Sequence, residues 1–92
     1  MYYGYYTKQF QKALNKIISS GKIKRMEIEN VVDILSKGSK LPSKYRDHNL
    51  HGEYIGYREC HIRGDLVMIY KIEEDKLILL LLNIGSHSEL FK

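Results

Sequence analysis

Residues 66–84 read LVMIYKIEEDKLILLLLNI, two apolar runs separated by four charged residues. The first run, Leu66 to Ile72, is rich in β-favouring residues, and the second, Leu77 to Ile84, has the length of a strand. The charged residues between them, Glu73 to Lys76, are typical of a turn. This stretch therefore predicts two strands joined by a short connection.

The residues before this stretch add a third strand to the predicted sheet. Ile55 to Ile62 alternates imperfectly between apolar and polar residues, which predicts a three-stranded meander with the two later strands. Pro42 to Tyr54 contains Pro, Ser, Asp, Asn and Gly, so we expect an irregular segment there. Gly85 is expected to end the sheet, and residues 86–92 to form a turn or a single helical turn.

The first forty residues predict a short strand and two helices. Tyr2 to Tyr6 favours a terminal strand, and Thr7 is expected to cap a helix that ends near residues 19–21. Apolar residues recur at helical spacing in both helices: Phe10, Leu14, Ile17 and Ile18, then Ile28, Val31, Val32 and Leu35 before Gly38. The order strand, helix, helix, strand, strand, strand predicts an α+β domain. We expect both helices to pack on one face of a mainly antiparallel sheet.

Length and composition restrict the class of protein. A chain of 92 residues is expected to form one domain over residues 1–92. The longest apolar run, Leu77 to Leu82, is too short to span a bilayer. The single cysteine excludes an intramolecular disulfide, and the N-terminus lacks the pattern of a secretory signal. We therefore expect a cytoplasmic protein without a membrane partner.

The positive charge is concentrated at the N-terminus. The chain has 15 Lys and Arg against 11 Asp and Glu, a net charge of +4. Lys8, Lys12 and Lys16 form a stripe on the first predicted helix. Such a stripe suits RNA phosphates or an acidic protein partner, and it also suits a helix face that is only solvated.

The histidines suggest acid–base chemistry. The four are His48, His51, His61 and His87, and imidazole exchanges protons near neutral pH. Cleavage of RNA through its own 2′-OH needs a base, cations at the phosphate and an acid for the departing 5′ oxygen. His, Asp, Lys and Arg side chains suffice for this reaction without a metal or another cofactor. His61 and Asp65 flank a predicted tight link, so both are expected at one end of the sheet.

Zinc binding and a cysteine nucleophile are weaker interpretations. His48, His51, Cys60 and His61 could ligate zinc, but their spacing is not that of paired zinc motifs. Neighbouring strand residues point to opposite faces, so Cys60 is expected in the core if His61 faces a cleft. We predict no metal site.

Two segments resemble the YafQ family of toxins in the RelE superfamily. They are YRDHNLHGEYIGYRECHIRGDLVMIYKI (residues 45–72) and GSHSELF (residues 85–91). The register of the family pattern YKDHxLxGxxxGYRxxH is kept here, with Arg46 in place of its Lys. An Asp four residues after its last His, an IYxI strand and a closing GSHxxLF follow. The predicted element order also agrees with the RelE-like β-α-α-β-β-β order. The resemblance implies a ribosome-dependent mRNA endonuclease of a type II toxin–antitoxin system.

The resemblance also implies roles for individual residues. Asp65 corresponds to the general base, His87 to the general acid and Phe91 to an aromatic that positions the substrate. His48 and His61 would orient and stabilise the phosphate. His51 matches no functional position of the family and is expected to be a loop residue. Leu66 stands where the family often has Trp.

One departure affects the phosphate site. Asn83 stands four residues before the His of the GSH motif, where many members carry an Arg. Arg63 is the first candidate to replace that charge, because it should share a strand face with His61 and Asp65. Arg58 and Lys71 are alternatives, and Lys44 and Arg46 are further candidates for substrate binding.

Partners and alternatives follow from the same resemblance. It implies a DinJ- or RelB-like antitoxin, the ribosome with mRNA, and operator DNA contacted only through the antitoxin. The missing Arg favours a second hypothesis, a weak or inactive toxin homologue that acts mainly as an antitoxin-binding partner and operon co-repressor. A third hypothesis is general RNA binding through the lysine stripe, which would depend strongly on salt.

Overall fold

The computed structural model describes residues 1–91, and over this range a five-stranded sheet carries helices on one face. The strands are β1 (Tyr3–Tyr6), β2 (His48–Asn49), β3 (Arg58–Arg63), β4 (Leu66–Glu73) and β5 (Ile78–Ser86), and the helices are α1 (Lys8–Ser19), α2 (Arg25–Ser36) and α3 (His87–Leu90). The spatial order is β1-β5-β4-β3-β2. Only β1 pairs in parallel, with β5. The predicted α+β class is confirmed.

The core lies between the sheet and the first two helices. Phe10 and Val31 from these helices are fully buried with Cys60, Met68 and Leu81 from the strands. The predicted cap of α1 is present, because the Thr7 hydroxyl oxygen accepts a hydrogen bond from the Phe10 N–H at 3.0 Å. The same hydroxyl donates to the carbonyl of Leu82 at 2.8 Å, which joins the start of the helix to β5.

Strand boundaries differ from the sequence-based expectation in three places. The segment predicted to be irregular contains β2, which pairs with β3, and β3 begins at Arg58 rather than Ile55. Strand β5 continues through Gly85 to Ser86 instead of ending there. Gly85 is buried, and a Cβ at this position would lie 3.4 Å from Leu90 of α3. Helix α3 thus packs within van der Waals distance of β5 at Gly85.

Two irregularities in strand register decide which face some side chains occupy. In β3 the pairing with β4 shifts between His61 and Arg63, and in β5 the pairing shifts between Leu81 and Asn83. An extra residue reverses the alternation of the side chains that follow it. The described residues include no helix both long and apolar enough to cross a membrane.

Candidate active site

A buried carboxylate lies on the sheet face opposite the core. Glu59 is only 1% exposed, although its neighbours in β3, Arg58 and Cys60, point towards the core side. Its cross-strand partner on β4 is Ile69, which is fully buried on the same face. One oxygen of this carboxylate, Oε2, has no hydrogen-bond partner among residues 1–91. A buried charge in such a position needs compensating groups nearby.

Three histidine side chains lie near the Glu59 carboxylate. The Nε2 atom of His48 lies 3.0 Å from Glu59 Oε1, that of His61 lies 3.7 Å from the same oxygen, and that of His87 lies 3.9 Å from Oε2. They come from different elements: His48 is opposite Glu59 on β2, His61 is two residues along β3, and His87 begins α3. The fold thus gathers these three predicted residues around one carboxylate.

His48 is hydrogen-bonded on both sides of its ring. Its Nδ1 lies 2.7 Å from the backbone carbonyl of Arg46, which can only accept, so Nδ1 must carry a proton. On the other side, Nε2 faces Glu59. The Nε2 atom lies 3.0 Å from the Glu59 carboxylate, and 48% of the His48 side chain is exposed.

An aromatic row extends from His87. The rings of His87 and Phe91 are 4.8 Å apart, and Phe91 meets Tyr54 edge to face at 5.6 Å. Helix α3 is held by Ser86, whose hydroxyl accepts from the Glu89 N–H at 3.2 Å while Glu89 accepts from the Ser86 N–H at 3.1 Å. This reciprocal cap fixes the turn from which both rings project.

Asp65 lies beside the cluster but is not part of it. It is exposed in the turn between β3 and β4, and its backbone carbonyl accepts a hydrogen bond from the His87 N–H at 2.9 Å. Its side chain makes no hydrogen bond or ion pair with residues 1–91. Asp65 also lines a cleft of about 710 Å³ with residues of α1 and α3. The backbone contact brings Asp65 to the same end of the sheet as His87, while its carboxylate stays free.

Arg63 does not share the face of His61, so that expectation is wrong. The register shift after His61 places Arg63 on the helix side, where it donates to both carboxylate oxygens of Glu27 at 2.9 and 3.1 Å. Hydrogen bonds from the Lys24 N–H and from Arg63 lower the pKa of Glu27. Lys44 lines the same cavity of about 360 Å³ with Arg63, away from the histidines.

Arg58 is occupied by neighbouring side chains. Its Nη2 donates to Asp47 at 3.0 Å, and its Nη1 donates to Asn49 at 2.6 Å. The hydroxyl of the buried Tyr70 also donates to Asp47. The hydrogen bond to Asp47 raises the pKa of Arg58, and burial raises the pKa of Tyr70. Arg46, the remaining predicted cation, is exposed and contacts the cluster through its carbonyl oxygen.

Asn83 and Lys71 lie on the histidine face. Asn83 is opposite Ile69, which is itself opposite Glu59, so the three lie in one row across the sheet. The Asn83 side-chain oxygen accepts from the Ile84 N–H at 2.9 Å. Lys71, two residues after Ile69, lies 5.5 Å from the centre of the Tyr57 ring. Lys71 is therefore the one of the three proposed replacement cations that shares the face of Glu59.

Cys60 is a core residue, as predicted. It is fully buried, and burial raises the pKa of its thiol to about 12, with a smaller effect from the charges of Asp47 and Glu59. It points away from His61, so these two neighbours cannot bind one zinc ion. His51 is exposed in the loop before residues 52–54.

The sequence interpretation missed two residues of this site, Glu59 and Tyr54. Glu59 lies two residues before His61, and strand alternation alone would have placed both on one face. An acidic residue next to a predicted catalytic histidine was therefore an available signal. Tyr54 lies in the segment predicted to be irregular, and no sequence pattern brings it to Phe91.

Comparison with known proteins identifies the family of the chain. The chain matches the family described as bacterial toxin of type II toxin–antitoxin system, YafQ, over residues 2–92. The chain belongs to the YafQ toxin family. Among its relatives, the mRNA interferase toxin YafQ of Escherichia coli K12 is 33% identical over 90 residues, which cover 98% of this chain and 91% of the relative.

Solved structures of YafQ-like toxins share the fold. A metal-bound toxin from Helicobacter pylori is 37% identical, with a TM-score of 0.89 over 99% of this chain and all of the other. The E. coli DinJ–YafQ complex contains a toxin chain that is 27% identical, with a TM-score of 0.85 and complete coverage of both chains. The RelE-superfamily resemblance inferred from the motifs is thus confirmed at the level of the YafQ family.

Proposed function

We propose that this toxin is a ribosome-dependent mRNA endonuclease that cleaves RNA by attack of the 2′-OH on the adjacent phosphate. The observation that carries the proposal is the convergence of His48, His61 and His87 on the buried carboxylate of Glu59. The name of the E. coli relative, an mRNA interferase toxin, supports the substrate class. A site of this kind needs the ribosome because it has few groups of its own to hold a message.

The three histidines have different roles in the proposed reaction. His87 gives a proton to the departing 5′ oxygen. This role is supported by its exposure, 57%, and by the hydrogen bond from its backbone N–H to the Asp65 carbonyl. His48 and His61, which lie 3.0 and 3.7 Å from the Glu59 carboxylate, orient and stabilise the scissile phosphate. Asp65 has a free carboxylate at the same end of the sheet and takes the proton of the 2′-OH.

Aromatic stacking positions the substrate. Phe91 lies against His87 on one side and Tyr54 on the other, so a base next to the scissile phosphate can extend this row. Stacking of one base on an aromatic side chain contributes about 1–3 kcal/mol. Lys71 supplies positive charge on the histidine face, where it also lies 3.6 Å from the Glu73 carboxylate. Arg63 and Arg58 are paired with carboxylates away from this face.

The reaction is tested with a defined message in a translation mixture. His87→Ala should lower the cleavage rate by about 10²–10⁴-fold, because the departing oxygen then lacks its acid. The control is His51→Ala, which removes an exposed loop imidazole and should cleave at the wild-type rate. If wild-type toxin, folded and free of antitoxin, leaves every codon of the message intact, the proposed activity is wrong.

Metal independence belongs to the same proposal and needs its own test. The H. pylori relative is metal-bound, whereas residues 1–91 of this chain contain no group of three or more His, Cys, Asp or Glu side chains arranged to hold a metal ion. The mechanism above uses only protein groups, so cleavage should continue when a chelator is added to ribosomes whose Mg²⁺ is kept constant. Loss of cleavage, restored by a transition metal, would contradict a metal-independent reaction.

The proposed partner is a DinJ- or RelB-like antitoxin, supported by the E. coli complex of DinJ with YafQ. Operator DNA would be contacted only through that antitoxin. A small acidic protein with a ribbon-helix-helix N-terminus, encoded immediately upstream, is the expected gene neighbour. Co-expression should yield a stable complex in which cleavage is inhibited.

A weak or inactive toxin that serves mainly as antitoxin partner and co-repressor is the second candidate. Asn83 favours it, because an uncharged amide that already accepts from the Ile84 N–H stands where the family pattern has Arg. Growth arrest on expression separates the two functions. Arrest that requires His87 supports the nuclease, and normal growth with intact operator binding in the antitoxin complex supports the co-repressor.

A further inference from the structure

The segment that carries His48 has little backbone support of its own. Strand β2 consists of two residues at the edge of the sheet and pairs with β3 at His48 and Asn49. One further backbone hydrogen bond follows it, from the Leu50 N–H to the Tyr57 carbonyl at 3.0 Å. Just before it, Arg46 has a φ of 49°, a left-handed conformation that residues other than glycine rarely adopt. Such a conformation persists only when surrounding contacts impose it. The question is which contacts hold this segment.

The residues on either side of His48 are both held by Arg58. Its Nη2 donates to the Asp47 carboxylate at 3.0 Å, and its Nη1 donates to the Asn49 side-chain oxygen at 2.6 Å. The hydroxyl of Tyr70 donates to the same carboxylate of Asp47. Tyr70 is 1% exposed and Arg58 lies opposite it in the ladder, so the anchor is part of the rigid sheet.

Because side chains alternate along a strand, the anchored neighbours of His48 determine the face to which its ring points. Successive residues of an extended segment point to opposite faces. With Asp47 and Asn49 held on the Tyr70 side, His48 points to the other face, where Glu59 lies 3.0 Å from its Nε2. The left-handed Arg46 directs its carbonyl to Nδ1 of the same ring at 2.7 Å. Both hydrogen bonds of the imidazole therefore depend on the position of Asp47.

We infer that Asp47, clamped by Arg58 and Tyr70, is a positioning residue for the reaction, acting through His48 and not on the substrate. This role rests on the proposed nuclease function. The clamp lies on the core side of the sheet and the imidazole on the active face, so the substrate has no contact with Tyr70. Loss of the clamp should slow the chemical step without weakening binding of the message to the ribosome-bound toxin.

The first test is NMR spectroscopy of the imidazole nitrogens in free toxin. Tyr70→Phe removes one hydrogen bond to Asp47 and keeps the buried ring, and Asp47→Asn removes the charge that Arg58 contacts. In wild type the His48 Nδ1 proton should exchange slowly. In both variants it should exchange at least about tenfold faster, while the signals of His61 and His87 stay unchanged. Identical His48 signals in wild type and in both folded variants would overturn the inference.

The second test is steady-state cleavage. In the same variants kcat should fall about 10–100-fold with KM unchanged, the size of effect expected when a catalytic group is misplaced by about 1 Å. Matched controls are Asp33→Asn, which breaks only the surface pair with Lys37, and Tyr5→Phe on the exposed edge strand. Both controls should keep the wild-type kcat. A rise in KM with kcat unchanged would overturn the positioning role.

The two tests distinguish failure of this inference from failure of the proposed function. The NMR experiment needs no ribosome and reports on His48 whether or not RNA is cleaved. If wild type cleaves nothing, the proposed function fails while the NMR result still decides whether the clamp holds His48. If wild type cleaves and the clamp variants keep both kcat and the His48 signals, only the inference fails.

Discussion

Buried residues on the two faces of the sheet have different surroundings. Two neighbours in β3 show the contrast. Cys60 and Glu59 are both at most 1% exposed. Cys60 lies in an apolar core formed with α1 and α2, where burial only suppresses its ionisation. Glu59 lies on the other face, where three imidazoles surround it. Burial alone therefore does not distinguish the two residues. Their surroundings do: apolar side chains around Cys60 and imidazoles around Glu59.

Thiol alkylation gives the largest expected contrast between the faces. Burial raises the pKa of Cys60 to about 12, so its thiolate at pH 8 is at least about a thousandfold scarcer than that of an exposed thiol. Iodoacetamide should therefore modify Cys60 only after denaturation, as followed by mass spectrometry. Labelling of native protein at the rate of a free thiol would show that the core face is open.

Glu59→Gln tests whether the buried charge matters to the other face. The amide keeps the shape of the side chain but removes the negative charge beside the three imidazoles, so kcat in the translation assay should fall about 100–1000-fold. Glu29→Gln, the same change at an exposed position of α2, is the control and should be without effect. A Glu59→Gln variant that cleaves at the full rate would make this carboxylate a structural group only.

Asn83→Arg tests the position of the β5 register shift with the smallest expected effect. If Asn83 shares the face of Glu59, an Arg there adds charge near the phosphate, and cleavage should accelerate about tenfold. The effect is smaller than the loss of about 10²–10³-fold in rate that follows removal of a native transition-state hydrogen-bond donor. An unchanged rate in a folded variant would place residue 83 away from the substrate.

The helices, most of the strands and most residues of the candidate site could be predicted, because they depend on local periodicity and on sequence motifs. The Thr7 cap, the apolar stripes and the strands around Leu66 and Leu77 follow from spacing alone, and the family resemblance indicated His48, His61 and His87. The short strand β2 was missed, because two residues leave no periodic pattern. Gly85 was expected to end β5, yet the strand continues through it to Ser86.

The sequence by itself determined the fold class, the buried position of Cys60 and the identity of the histidines, because each follows from alternation or from a motif. Only the tertiary structure decided that Glu59 is their common partner and that Arg63 pairs with Glu27 on the helix side. The first outcome depends on strand pairing and on the position of α3, and the second depends on one extra residue in β3. A single inserted residue reverses every later side chain, and no local pattern records where that reversal occurs.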